Sequence, residues 1–182
     1  AGVAAAAATG APLRLHLKVD TGMHRVGAAP DEVLGLARAV VEHPDLELEA
    51  VWTHCAVADE PDRAFTAEQL DRFDAVLAEL ATAGIEVPLT HAANSAGAIA
   101  HPAARRSLVR CGIAVYGVDP SPELAGALPL EPALRLRSEV GFVKQVAAGE
   151  GVSYGLHHTF ERATTVATVP IGYADGVRRR LG

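Results

Sequence analysis

The chain has 182 residues, of which 49% are apolar and 21% are charged, as is typical of one globular domain, or slightly more, with a buried core. The 16 basic and 22 acidic residues give a formal net charge of -6 at pH 7, which argues against nucleic acid or an anionic membrane as the main partner. No stretch reaches the roughly 18 apolar residues of a membrane span, and the alanine-rich start lacks the features of a secretory signal, so we expect a cytoplasmic protein.

Strand-like and helix-like segments alternate along the first part of the chain. Residues 13–19 alternate apolar and polar side chains and predict a strand, whereas residues 30–43 begin with proline and acids and place apolar residues at helical spacing. Residues 46–54 predict the second strand. Residues 66–84 predict a second helix, in which Thr66 and Gln69 have capping-box spacing and Gly84 is the stop.

The alternation continues with a short strand at residues 88–92, a short helix that begins near Asn94 and a fourth strand at residues 107–112. Such alternation implies right-handed crossovers and a parallel sheet. Four units in about 130 residues correspond to half of an eightfold barrel, which takes about 250 residues. An open doubly wound sheet is the alternative.

The pattern changes near residue 133. Residues 139–155 and 163–177 are short β-rich runs separated by glycine, without helical periodicity. We therefore predict a partial α/β barrel over residues 1–133, followed over residues 134–182 by the start of a mostly β domain.

Polar residues cluster at the ends of the predicted strands, where ligands bind in parallel α/β folds. They are Lys18, Asp20, Arg25, His54, His91, Asn94, Ser95, Arg110, Gly112 and Ile113. Each has a structural explanation when taken alone, such as a turn or a helix cap. Their coincidence at all four strand ends predicts a ligand site.

Two features of this cluster suggest its chemistry. Backbone N–H groups near Ser95 and Gly112, together with the serine hydroxyl, suit a phosphate. Arg110 is a guanidinium in an otherwise strand-like apolar run, so it needs an anionic or lone-pair partner. Cys55 and Cys111 are too few and too far apart for a disulfide framework or a zinc site, and we predict no metal.

Six motifs in a fixed order identify a resemblance to a known family. They are "LKVDTGMHRVG", "THCAVADE", "HAANSAGAI", "VRCGIAVYG", "GEGVSYG" and "VPIGYADGVRRRL". In this order they resemble bacterial alanine racemase over about residues 13–181, and the high alanine and arginine content indicates an actinobacterial type.

The resemblance implies an isomerase that uses pyridoxal 5'-phosphate to interconvert L- and D-alanine, which supplies D-alanine for peptidoglycan. It also implies a fold in which the second half of a TIM-type (β/α)8 barrel binds the cofactor and is followed by a C-terminal β domain. The family works as a head-to-tail homodimer. Arg110 would then donate to the pyridine nitrogen of the cofactor. Because arginine keeps its proton at any ordinary pH, the cofactor ring would be a weaker electron sink.

Racemisation needs an acid/base group on each face of the substrate Cα. The resemblance assigns one such role to Tyr154, which would reach the partner's cofactor, with His54 between that tyrosine and Arg110. The other role belongs in the family to a Schiff-base lysine in a motif resembling "VKANAYGHG". This chain contains only Lys18 and Lys144, and neither lies in that motif.

Other roles follow from motif positions. Arg25 would meet the phenolic oxygen of the cofactor, and Lys18 matches a lysine that is often carbamylated. Ser95, Gly112 and Ile113 would hold the phosphate with Asn94 beside them, and the substrate corridor would be formed by Asp59, His91, Tyr173 and Arg179. His24 stands where many relatives have glycine.

We expect this chain to be an internal segment that is inactive alone, because it lacks the Schiff-base lysine region. One alternative is a racemase or decarboxylase of the same fold that acts on another amino acid. A second is a non-catalytic pyridoxal-phosphate carrier, but such carriers lack the β domain that "GEGVSYG" and "IGYADG" indicate.

Overall fold

A computed structural model describes residues 10–178 of the chain. The chain divides into two compact units, and the division falls after Ala133. No helix among the described residues is long and apolar enough to cross a membrane.

The first unit alternates strands and helices. Its strands are β1 (Leu13–Lys18), β2 (Leu46–Trp52) and β3 (Leu89–His91), and its helices are α1 (Val33–Val41), α2 (Phe65–Thr82) and α3 (Ser95–Ala100). The strands form a parallel sheet in the order β1-β2-β3. This arrangement agrees with the predicted α/β organisation, in which each strand is followed by a helix that returns the chain to the same edge.

Helices α1 and α2 cover one face of the sheet. Val19, Leu48 and Val51 from the strand side pack against Val33 and Phe73 from the helix side, and all five are buried. Successive strand residues point to opposite faces, so Arg14, His16 and Lys18 of β1 lie on the face without helices. The hydrophobic pattern therefore separates an apolar core from a polar sheet face.

A bulge interrupts the pairing of β1 with β2. Leu15 lies opposite Leu48, whereas the next residue of β1, His16, lies opposite Ala50. Glu49 is thus the extra residue and has no partner in β1. A bulge of this kind redirects a side chain, and here it lets the Glu49 carboxylate reach Arg14 and His16.

Helix α2 begins one residue earlier than predicted, and the predicted capping box is wrong. Ala64 is the N-cap, and no side chain caps the helix. Thr66 is buried, and its hydroxyl has no hydrogen-bond partner among the described residues. Gln69 does not reach back to the helix start because its amide is used elsewhere, as described below. Gly84 ends the helix as predicted, in the left-handed conformation with φ of 75°.

Residues 107–112 do not form the predicted fourth strand. The segment runs beside β3 with two backbone hydrogen bonds, from Ser107 N–H to Thr90 O and from Arg110 N–H to Ala93 O, both of 3.0 Å. It does not continue as a ladder because the N–H of Gly112 donates instead to the side chain of Ser95. The segment has the composition of a strand, but part of its backbone hydrogen-bonds to the side chain of Ser95 and not to a neighbouring strand.

The second unit has short antiparallel strands, in agreement with the β-rich runs of the sequence. Strand β4 (Phe142–Val146) pairs with β7 (Thr164–Thr168), and β5 (Gly151–Val152) pairs with β6 (His158–Thr159).

Candidate functional site

A cavity of about 420 Å³ lies at the carboxyl ends of the parallel strands. This volume falls within the usual range of small-molecule sites, about 300–1,000 Å³. The predicted site residues that line it are His54, Asp59, Asn94, Ser95, Arg110, Gly112 and Ile113. The structure thus brings together residues that follow β2, β3 and the segment beside β3.

A larger cavity, of about 620 Å³, lies in the second unit between residues 157 and 164. It is an open hollow among mostly exposed side chains, and it contains none of the predicted site residues. The convergence of functional side chains, and not volume, therefore marks the candidate site.

Arg110 is anchored to the ends of β2 and β3. Its Nη1 donates to His91 Nδ1 at 2.6 Å, and its Nη2 donates to Thr53 O at 2.9 Å, to His54 Nδ1 at 3.1 Å and to Ala92 O at 3.2 Å. These contacts fix the direction of the guanidinium and occupy part of its N–H donors.

The aromatic ring of Trp52 completes the surroundings of this arginine. The guanidinium carbon of Arg110 lies 4.6 Å from the ring centroid, a distance typical of a cation–π contact. The ring of His91 stacks on the same tryptophan at 5.3 Å. Sequence analysis missed Trp52 because an aromatic residue at a strand end is more often part of a core.

The two histidines beside Arg110 must be neutral at the nitrogen that faces it, because a guanidinium only donates. Burial, and then the positive charge of Arg110, lower the pKa of His91 to about 4. The same two causes, in the same order, lower the pKa of His54. With Nδ1 accepting from Arg110, the proton of neutral His54 lies on Nε2, and that nitrogen can donate a hydrogen bond.

Ser95 organises the other side of the cavity. Its hydroxyl oxygen accepts from the backbone N–H groups of Gly112 at 2.9 Å and of Ala114 at 3.3 Å. Asn94 caps helix α3, because its Oδ1 accepts from Gly97 N–H at 2.8 Å. A Cβ placed on Gly112 would meet nothing within 4 Å. The backbone is therefore open to the cavity at this point, as contact with a ligand requires.

Lys18, the last residue of β1, and Arg25, in the loop after it, add positive charge. The ammonium of Lys18 donates to Val26 O at 2.6 Å, and burial followed by the charge of Arg25 lowers the lysine pKa. The guanidinium of Arg25 makes no hydrogen bond or ion pair with any described residue. Asp20 is tied to the backbone of its own turn, since its carboxylate accepts from Gly22 and His24 N–H groups at 3.0 Å.

Of the residues predicted for the substrate corridor, only Asp59 lines the cavity among those that the structure describes. Asp59 lines the cavity, whereas His91 is only 3% exposed and lies behind Arg110, so it contacts the arginine and not the cavity. Tyr173 belongs to the second unit, as does Tyr154, which is 88% exposed. Arg179 lies outside the described residues.

Gln69 supports the loops of the site, whereas sequence analysis assigned it to a capping box. Its side chain is fully buried, with Oε1 accepting from Ala56 N–H at 2.8 Å and Nε2 donating to His54 O at 3.1 Å and to Thr21 Oγ1 at 3.2 Å. It therefore joins the loops that follow β1 and β2. A glutamine within the apolar face of α2, beside Leu70, was the available signal.

The fold and the site together define the class of protein. A parallel α/β sheet with a polar cavity at its strand ends, followed by a β unit, is typical of barrel enzymes that carry an additional domain. Comparison with known proteins identifies the family. Residues 2–120 match the family "Alanine racemase, N-terminal domain", and residues 133–182 match "Alanine racemase, C-terminal domain".

The chain belongs to the alanine racemase family, whose members depend on pyridoxal phosphate and combine a TIM-type barrel with a C-terminal β domain. It is 50% identical to alanine racemase of Symbiobacterium thermophilum, over 92% of this chain and 45% of that protein. It is 45% identical to that of Beutenbergia cavernae, over 99% of this chain and 49% of that protein.

A crystal structure of alanine racemase from D-cycloserine-producing Streptomyces lavendulae superposes with a TM-score of 0.87 at 43% identity, covering 97% of this chain and 48% of that one. The chain thus spans about half the length of the relatives that it matches. This agrees with the predicted partial barrel.

Proposed function

We propose that the full-length protein containing this chain is a pyridoxal-phosphate-dependent alanine racemase. The observation that supports it best is the anchored Arg110, which shares one cavity with Ser95 and Gly112 in a chain of this family. Its reaction would interconvert L- and D-alanine in the cytoplasm and supply D-alanine for peptidoglycan. Residues 1–133 would bind the cofactor, and residues 134–182 would contribute Tyr154.

The donors of the cavity fit pyridoxal phosphate. The Ser95 hydroxyl, which keeps its own proton to donate, and the Ile113 N–H suit the phosphate, with Asn94 holding the turn that presents them. The Gly112 N–H donates to Ser95 in this structure and would change partner to reach the phosphate. Arg110 retains N–H groups beyond those that its described acceptors occupy, so it can donate to a ring nitrogen. Arg25, which has no described partner, would donate to the phenolic oxygen. When bound, the cofactor supplies the electron withdrawal that makes the Cα proton of an amino acid acidic.

Arg110 controls how strong that withdrawal is. A guanidinium donates a hydrogen bond but does not transfer its proton near neutral pH. Its contacts with His91 and Thr53 hold it in one orientation, so it would contribute a fixed donor and no acid. This property suits a reaction that must return the proton to Cα.

Tyr154 is proposed to hold or release the proton on one face of the substrate. An ordinary tyrosine is a poor base at neutral pH, so its phenolate needs a donor. His54 offers one, because its Nδ1 accepts from Arg110 and its Nε2 carries the proton. In the proposed homodimer this donor would serve the partner's tyrosine, and a lysine outside this chain would act on the other face.

The remaining assignments concern access and charge. Asp59, Tyr173 and Arg179 are proposed to line the substrate corridor. His91 is instead proposed to hold Arg110 in place, because it accepts a hydrogen bond from it. Lys18 is proposed to be carbamylated: its neutral amine would add to carbon dioxide and release one proton, and the lowered pKa of the lysine favours the neutral amine. The resulting anion would pair with Arg25.

The decisive experiment uses the full-length protein with pyridoxal phosphate. We expect racemisation of alanine, and a Tyr154→Phe variant should lose exchange of the Cα proton with solvent from one enantiomer much more than from the other. Exchange is measured by NMR in D2O for L- and D-alanine separately. An inactive wild type with no spectral change of the cofactor contradicts the proposed function, and equal losses from both enantiomers contradict a one-face role for Tyr154.

A further inference from the structure

A line of hydrogen bonds continues behind Arg110, away from the cavity. His91 accepts from Arg110 at its Nδ1, and its Nε2 lies 3.1 Å from His16 Nδ1. His16 Nε2 lies 2.9 Å from Glu49 Oε2. The line thus joins a carboxylate of β2 to the guanidinium of the candidate site through two imidazoles.

The chemistry of the two ends gives this line a single direction. Arg110 can only donate, so His91 must accept at Nδ1 and carry its proton at Nε2. His16 must then accept at Nδ1 and carry its proton at Nε2, which donates to the Glu49 carboxylate. Both imidazoles are neutral in this arrangement, and the lowered pKa of His91 agrees with that state.

The backbone is shaped to place the carboxylate at the end of the line. Glu49 is the extra residue of the β1–β2 bulge and is therefore the residue that the bulge redirects. Its other oxygen accepts from Arg14 at 2.8 Å, so both oxygens are occupied. Glu47 lies two residues earlier on the same strand, and its side chain makes no hydrogen bond or ion pair with any described residue.

We propose that Glu49 and His16 are positioning residues for the racemase reaction, which act through His91 to hold Arg110 against the cofactor. The contact of Arg110 with the cofactor rests on the proposed function. The assignment of donors and acceptors along the line does not, because it follows from the geometry of this chain. The carboxylate orients His16 and makes its Nδ1 a better acceptor, His16 does the same for His91, and the bond to Arg110 becomes stronger.

The first test measures protonation states without using the cofactor. The full-length, cofactor-free protein is labelled with 15N-histidine, and the ring nitrogen signals of His16 and His91 are assigned with single variants. We expect both rings to be neutral with the proton on Nε2. Glu49→Gln should shift the signals of both rings, whereas Glu47→Gln, the same change two residues away, should shift neither. A proton on His91 Nδ1, or equal effects of the two variants, would overturn the proposal.

The second test measures the effect on Arg110 with the cofactor bound. Glu49→Gln and His16→Phe should each weaken cofactor binding and lower kcat by about two- to tenfold, the range expected for one hydrogen bond. The double variant should lose no more than His16→Phe alone, because both changes interrupt the same line. Additive losses would overturn the proposal. An inactive wild type with the predicted histidine signals would instead contradict only the proposed function.

Discussion

Arg110 shows what a single residue type contributes at this site. A lysine at the same position would keep the positive charge but not the fork that reaches His91 and two backbone carbonyls at once. In the full-length protein, Arg110→Lys should therefore weaken pyridoxal-phosphate binding by roughly 10- to 100-fold, as expected for losing a charged hydrogen bond. Titration of the cofactor absorption measures this.

Arg106 provides the control for that experiment. Its side chain forms a surface ion pair with Asp74 at 2.9 Å, so Arg106→Lys should leave the cofactor affinity unchanged. Equal affinities of all three proteins would show that the arginine fork is not needed.

The neutral state of His91 predicts a dependence of stability on pH. The unfolded chain takes up this proton near the ordinary pKa of 6.5, whereas the folded protein takes it up only at about 4. The unfolded state therefore binds more protons between these values, and the free energy of unfolding should fall as the pH is lowered from about 6.5 to about 4. Urea unfolding across this range should show a smaller fall for His91→Gln than for wild type. Parallel curves would contradict a depressed pKa.

At the scale of elements, helix α2 matters because it joins two loops of the site. Gln69→Leu keeps the volume of the side chain but leaves Ala56 N–H and His54 O without their partner. We expect a loss of about 1–3 kcal/mol in the free energy of unfolding, the cost of unpaired buried polar groups. The matched change Gln145→Leu, in which an exposed amide loses only Thr165, should cost less than about 0.5 kcal/mol.

The same helix shows where sequence reasoning succeeds and fails. Apolar spacing and Gly84 predict its extent to within about two residues, since periodicity and a left-handed stop are local properties. The role of Gln69 depends on a loop 13 residues away in sequence, so a local pattern misassigns it to a cap. Residues 107–112 have the sequence of a strand, yet the segment leaves the strand pairing where Gly112 N–H donates to Ser95.

In the candidate site, too, local patterns could be predicted and contacts between distant residues could not. Its cavity residues were found because the carboxyl ends of parallel strands meet at one edge, and the family resemblance gave them roles. Trp52 and Glu49 were not found, since a stacking ring and a redirected carboxylate depend on neighbours from other strands.

At the scale of the whole molecule, the proposed homodimer predicts complementation between two impaired variants. If Tyr154 serves the partner's site, a mixed dimer of Tyr154→Phe and Arg110→Lys has one site with both defects and one with neither. Co-expressing the two full-length variants should therefore restore activity well above that of either variant alone. Activity no higher than the average of the two would show that Tyr154 acts within its own subunit.

The bulge at Glu49 has a consequence for how this gene can change. Loss of that single codon would give β1 and β2 uninterrupted pairing, with Leu48 and Ala50 in consecutive register opposite Leu15 and His16. A more regular sheet would then come with a less accurately held arginine. Selection for stability would therefore favour loss of Glu49, whereas selection for turnover would favour keeping it.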